Sequence, residues 1–183
     1  MKITKAGITA LLLLSLFAGC GKTAEPPAPQ PVPGEPGTLA VTFDYERQGG
    51  VASNQFAVWI EDLEGSMVKT LYATNFTAAG GYKKRPDSLA VWVSRALGVS
   101  DFDAVAGATP KSGPQVYIWD CADVSAGVYR FFVEGTLRFQ DYTLYSGEVE
   151  IGGAASLVEA VPLDGSTKQT MICNVKAEYF SKP

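Results

Sequence analysis

In Leu39-Ala40-Val41-Thr42-Phe43-Asp44-Tyr45-Glu46 a large apolar side chain falls on every second position, with Ala40, Thr42, Asp44 and Glu46 in between. Successive side chains of a strand point to opposite faces, so this stretch predicts a strand with one face in a core and one toward water. The pattern recurs. Phe56, Val58 and Ile60 alternate with Ala57, Trp59 and Glu61, and a turn at Gly65 leads into Met67 to Thr74. Val116 to Trp119, Val128 to Glu134 and Tyr142 to Ile151 follow, and Met171, Cys173, Val175, Ala177 and Tyr179 share one face of a last strand. About seven strands separated by Gly-rich and polar turns predict an all-β, antiparallel sandwich. One short helix interrupts it. Pro86 and Asp87 open a segment in which Leu89, Trp92, Val93, Ala96 and Leu97 fall on one face, and Gly98 stands where helices commonly stop. A strand through residues 89–93 is the rival reading. Trp59, Trp92 and Trp119 are read as core rather than as an exposed sugar-binding row.

Toward the amino terminus the character of the chain changes. Lys2 and Lys5 precede an apolar run from Ile8 to Phe17, followed by Ala18, Gly19 and Cys20. A charged start, an apolar run of about ten residues and a small-residue site make a secretory leader, and the run is too short for a bilayer core of about 30 Å. Phe17-Ala18-Gly19-Cys20 resembles the bacterial lipobox, which implies cleavage before Cys20 and lipid attachment at that residue. Two or three acyl chains, at roughly 0.8 kcal/mol per buried methylene, hold a protein on a membrane that it does not span. Gly21 and Lys22 follow, not the aspartate that marks inner-membrane retention in many Gram-negative lipoproteins, so the resemblance implies the periplasmic side of the outer membrane. From Gly21 to Thr38, Pro26, Pro27, Pro29, Pro31, Pro33 and Pro36 favour polyproline II and leave almost nothing apolar to bury. At about 3.1 Å per residue such a tether reaches roughly 50 Å. The expected organisation is a leader over 1–19, lipidated Cys20 and a Pro-rich tether over 20–38, and a sandwich domain over 39–183.

The 183 residues include 15 basic and 19 acidic side chains and no histidine. Lys2 and Lys5 leave with the leader, and the remaining 13 basic against 19 acidic residues give the mature chain a formal charge of −6. That balance argues against nucleic acid, whose partners carry a basic surface, and Lys83-Lys84-Arg85 is read as a solvated turn. Without histidine there is no Ser-His-Asp or Cys-His centre, no histidine-ligated metal and no imidazole proton shuttle within the chain. With Cys20 carrying lipid, Cys121 and Cys173 are too few for an all-cysteine zinc site. In an oxidising compartment the two predict a disulfide, worth roughly 4 kcal/mol in the chain-entropy model, and the alternative is two separate buried thiols. Among carboxylates, Asp101 with Asp103, Asp120 with Asp123, and Glu61-Asp62 with Glu64 show no diagnostic spacing, and Asp120 and Asp123 read as turn caps. The expectation is a protein that is not an enzyme and holds no metal.

Six stretches taken together carry a family likeness. Phe56-Ala57-Val58-Trp59-Ile60-Glu61-Asp62, Val68-Lys69-Thr70-Leu71, Lys84-Arg85-Pro86-Asp87-Ser88-Leu89, Asp103-Ala104-Val105-Ala106-Gly107-Ala108-Thr109-Pro110-Lys111, Val116-Tyr117-Ile118-Trp119-Asp120 and Gly127-Val128-Tyr129 occur in this order. They resemble the pattern of a family of predicted periplasmic proteins, domain of unknown function 2271. The turn-strand pieces are also similar to the immunoglobulin-like repeat of flagellar hook-capping proteins, which implies an immunoglobulin-like sandwich and no flagellar role, because a fold does not fix a function. Asp103, Gly107, Ala108 and Thr109 further resemble the motif of covalent flavin carriers, in which a flavin transferase joins the phosphate of FMN to the last threonine. Glycine lets another protein's active site approach the backbone, and an exposed hydroxyl can take a phosphoester without disturbing a core. Ala106 replaces the usual Ser or Thr, and Pro110 follows where small or aliphatic residues are usual. The alternative is a rigid loop from Gly107 to Gly113 with no cofactor. Two functional expectations follow: a lipid-anchored accessory or binding protein with an envelope protein partner and redox or flavin-handling neighbours, or an electron carrier with FMN on Thr109.

Overall fold

The computed structural model describes residues 36–49, 53–98, 106–137, 142–163 and 171–182. All of them belong to one compact unit spanning 31–183. The first alternating stretch is strand β1 (Thr38–Tyr45), and Leu39, Val41, Phe43 and Tyr45 are all buried as its period requires. Along the chain follow β2 (Gln55–Glu61), β3 (Met67–Thr74), α1 (Asn75–Ala78), α2 (Ala90–Ala96), β4 (Ala106–Gly107), β5 (Gly113–Asp120), β6 (Gly127–Thr136), β7 (Tyr142–Ile151), β8 (Ser156–Glu159), β9 (Val161–Pro162) and β10 (Ile172–Phe180). Two sheets form, one in the order β5-β1-β10-β8 and one in the order β4-β3-β2-β6-β7-β9. Their facing side chains, among them Val41, Phe43, Phe56, Val58, Phe131, Val133, Ile172 and Tyr179, make one apolar core. The chain is thus an all-β sandwich.

Strand β2 departs from the half-buried pattern, because every one of its residues is buried. Phe56, Val58 and Ile60 point into the sandwich, while Ala57 and Trp59 point the other way, into a second core with Ala73, Leu89, Trp92, Val93 and Ala96. The segment 75–98 covers that outer face. It also explains the one parallel pair among the described residues: β4 runs parallel to β3, with Ala73 opposite Ala106 and Thr74 opposite Gly107. Parallel neighbours need a crossover, and the helical segment is part of it.

The helix expected after Pro86 is present but begins later, at Ala90. Residues 86–89 form turns, and Leu89 at the N-cap has φ 51° with no side-chain cap of its own. The missing acceptor comes from across the layer: Glu134 of β6 accepts from Val91 N at 3.2 Å and Trp92 N at 2.8 Å. Leu89, Trp92, Val93 and Ala96 are buried as expected, whereas Leu97 is 50% exposed. The helix has ended at Ala96, and Leu97, with ψ 119°, swings the chain outward.

The expected disulfide is absent. Cys121 and Cys173 are free thiols, and the register of β1 shows why: Thr38 faces Asp120, next to Cys121, while Asp44 faces Cys173. Six residues of strand separate the two by roughly 20 Å, against about 7 Å for the widest Cα spacing that a disulfide spans. Cys173 also misses the inward face assigned to it. Between Thr42 and Asp44 the register with β10 slips, and Asn174 takes φ 53°, inserting a bulge. The extra residue resets the alternation, so Ile172 and Val175 point inward and Cys173 sits half-buried. Cys121 lies in the core, where burial pushes its thiol up to about 11. In the folded protein a thiol reagent is therefore expected to label Cys173 and to reach Cys121 only on unfolding, since the thiolate is the reactive form. Equal labelling of both in the native state would contradict this placement.

Candidate functional site

The Ala106-Gly107-Ala108-Thr109-Pro110 stretch emerges from the crossover at the edge of the larger sheet, where β4 pairs with the end of β3. Gly107 packs so closely on Tyr72 that a Cβ there would lie 2.4 Å from the ring. Any larger residue displaces that ring, which is the local reason for glycine. The Tyr72 hydroxyl donates to Ala108 O at 2.7 Å and so fastens the next residue. Ala108 is exposed and Thr109 half-buried. Thr109 Oγ1 donates to Asn54 O at 3.3 Å.

Beneath this loop lies an aromatic floor. Tyr72 and Tyr117 have ring centroids 4.8 Å apart, Phe56 stacks on Tyr72 at 5.0 Å, and Phe43 stacks on Tyr117 at 5.9 Å. Burial raises both phenols above their ordinary range, and for Tyr117 the neighbouring Tyr72 adds to the effect. Both stay neutral donors at any physiological pH.

Behind the loop is a buried polar network that sequence reading did not anticipate. Gln55 Nε2 donates to Asn54 O at 2.8 Å and to Ser53 Oγ at 2.9 Å. Gln55 Oε1 accepts from Thr74 Oγ1 at 2.6 Å and from Thr77 Oγ1 at 3.1 Å. Thr77 Oγ1 in turn lies 2.6 Å from Ser88 Oγ. Both amide donors and both acceptor positions of Gln55 are used, which is what a side chain only 3% exposed requires. The members come from the residues just before β2, from β2, β3 and α1, and from the turn before α2, so no local motif announces them. Thr109 joins the network through the carbonyl of Asn54.

The carboxylate candidates lie apart from this site. Asp120 Oδ1 accepts from Ala122 N at 3.1 Å, the turn cap expected of it. Asp123 accepts from Lys69 Nζ at 2.9 Å and Trp119 Nε1 at 3.0 Å, and the Lys69 bond holds its carboxyl below the usual range. Buried Glu61 accepts from Trp59 Nε1 at 2.8 Å and faces Arg95 at 3.5 Å. Asp62 Oδ1 accepts from Ser66 N at 2.7 Å in the turn before β3. Lys83 and Lys84 are exposed on their turn, and Arg85 lies 5.8 Å from the Phe76 ring with Nη1 donating to Ser53 O at 3.4 Å. Among the described residues no group of three metal-ligating side chains converges. Cys20, Asp101 and Asp103 lie outside the described residues.

A family model described as a predicted periplasmic protein, domain of unknown function 2271, matches residues 38–168. The chain belongs to this family. The match begins on the first residue of β1 and runs past β9, so domain of unknown function 2271 takes in the larger sheet, the crossover, the Thr109 loop and every strand of the smaller sheet except β10. It carries the periplasmic location with it. No curated protein and no solved structure matched the chain.

Proposed function

We propose that this protein is a lipid-anchored, non-enzymatic accessory or binding subunit of the cell envelope, held at Cys20 on the periplasmic face of the outer membrane, with redox or flavin-handling neighbours. The bracing of the Thr109 loop carries this reading. Gly107 against Tyr72, Tyr72 on Ala108 and the Gln55 network behind Asn54 hold a short edge segment rigidly while leaving Ala108 exposed. A pre-organised edge suits recognition by another protein, because little ordering remains to be done on contact. Intact-mass analysis of the native, membrane-extracted protein tests the anchor: the expected chain starts at Cys20 and carries acyl groups, and a lipid-free chain would overturn the anchored reading.

A second reading, an electron carrier with FMN on Thr109, is favoured by one detail of the network. The Asn54 carbonyl that accepts from Thr109 also accepts from Gln55 Nε2. Esterifying the threonine costs about one hydrogen bond, near 1 kcal/mol, and leaves no buried acceptor without a partner. In that step the Thr109 oxygen bonds to phosphorus, the anhydride bond of an activated flavin nucleotide breaks, and the hydroxyl proton departs with the leaving nucleotide. The Tyr72 hydroxyl is bonded to Ala108, the residue before the attachment point, and the Tyr117 ring lies 4.8 Å from that of Tyr72. Co-expression with an active flavin transferase in a secretory host is expected to add the mass of one FMN less one water to the wild-type chain and nothing to Thr109→Ala. An unlabelled wild type, with a known carrier labelled in the same cells, would remove this reading.

A further inference from the structure

We propose that β5 is the edge through which two copies of this chain join, strand against strand, about a twofold axis at Tyr117. A sheet edge is a row of unpaired N–H and C=O groups, and proteins blunt such edges with short strands, bulges, lysine or proline. Three of the four outermost strands here are blunted: β4 and β9 have two residues each, β9 ends in Pro162, and β8 has four residues. The part of β3 that β4 leaves open has two register slips against β2 and carries Lys69. Strand β5 has none of this protection along its middle. It runs eight residues, pairs with β1 in unbroken register, and its other edge pairs with no described strand. On its outer face Val116 is 56% exposed and Ile118 68% exposed, both β-branched and both apolar.

The occupant follows from the sequence of the strand. Residues directly opposite in an antiparallel pair share a face, so self-pairing centred on Tyr117 sets Val116 against Ile118 of the second copy and Tyr117 against its counterpart. The single charged residue of β5, Asp120, then faces Pro114 of the second copy, and no like charges oppose. Centring on Val116 or Ile118 instead breaks the Val–Ile match. The paired edges would join the two smaller sheets into one continuous sheet, with apolar cross-strand pairs at the junction. This surface lies on the smaller sheet, and its central Tyr117 is also part of the aromatic floor beneath the Thr109 loop, 4.8 Å from Tyr72.

The test uses full-length chains on a Cys173→Ser background, which removes the half-exposed thiol. Chains carrying Val116→Cys are mixed with chains carrying Ile118→Cys and gently oxidised. A covalent dimer is expected in the mixture and not in either variant alone, because identical positions lie on the diagonal, about 8 Å apart, beyond disulfide reach. The background chain alone serves as the control. Sedimentation of the wild type should give twice the single-chain mass, and Ile118→Lys, which alters an exposed side chain outside the core, should return it to the single-chain value. A single-chain mass for the wild type at every loading concentration overturns the proposal, as does equal cross-linking in the mixture and in either variant alone.

Discussion

Replacing Glu134 by alanine is expected to lower the unfolding free energy by about 3 kcal/mol at neutral pH, while glutamine keeps most of the stability and removes its pH dependence. Glu134 is fully buried, and its two oxygens accept from the N–H groups of Val91 and Trp92 at the start of α2. Alanine removes both of these acceptors and opens a cavity. Glutamine preserves the shape and one acceptor, but its amide nitrogen faces a donor. Burial pushes the Glu134 carboxyl up to about 7, opposed in part by the bonds from Trp92 and Val91. A carboxyl whose folded value exceeds its unfolded one adds stability that is complete below the unfolded value, near 4.5, and is lost as pH rises through about 7. Between about pH 5 and pH 8 the wild type should therefore lose about 2 to 3 kcal/mol relative to Glu134→Gln as pH rises. Denaturant unfolding at the two pH values measures it, and identical slopes for the two proteins would contradict the assignment. Tyr142, the ionisable neighbour that feels Glu134, is pushed up to about 12, mainly by burial, and stays neutral in this window.

What the sequence revealed, and what it hid, follows from where water touches the fold. Strand β1 was legible because one face packs and the other is wetter, which is the condition for a period of two. In β2 both faces are buried, so alternation identified a strand but not the layer that covers its second face. At β10 the period misled: a bulge with Asn174 in the left-handed region is chosen by pairing with β1, and a strict count through it puts Cys173 on the wrong side. Strands β4, β8 and β9 are too short to show any period. At the candidate site, Gly107 and Thr109 were legible as a motif. Tyr72, Asn54, Gln55, Thr74, Thr77 and Ser88 were not, because residues from separate elements meet only once the crossover has folded over the sheet. Glu134 was hidden for the same reason. Its partners lie forty-two and forty-three positions away in sequence.

The strongest test of the covering layer is Trp59→Ala, expected to cost about 3 to 5 kcal/mol. In a plain two-layer sandwich Trp59 would stand on the solvent face, and truncation there would change stability by no more than about 0.5 kcal/mol. Here it has no exposed surface, stacks on Phe132 with centroids 5.0 Å apart and rings 9° from parallel, and donates to Glu61. Alanine removes the indole from the core shared with Trp92 and Val93 and strips Glu61 of its shortest bond, leaving Arg95 at 3.5 Å as its ion-pair partner. Trp59→Phe keeps the stacking but loses the indole donor, so its cost should fall well below that of alanine. Comparing the two separates packing from the Glu61 bond. Equilibrium unfolding followed by circular dichroism supplies the numbers, because it does not depend on the fluorophore being removed. The crossover that covers Trp59 is the same segment that delivers Ala106 and Gly107 to the edge of β3. Loosening it should therefore weaken the bracing of Thr109 as well, and hydrogen exchange at the Ala106 and Gly107 amides should rise in Trp59→Ala under conditions where the sandwich stays folded. Unchanged protection at β4 would mean that the edge segment is held by Tyr72 and the Gln55 network alone, without help from the helical layer.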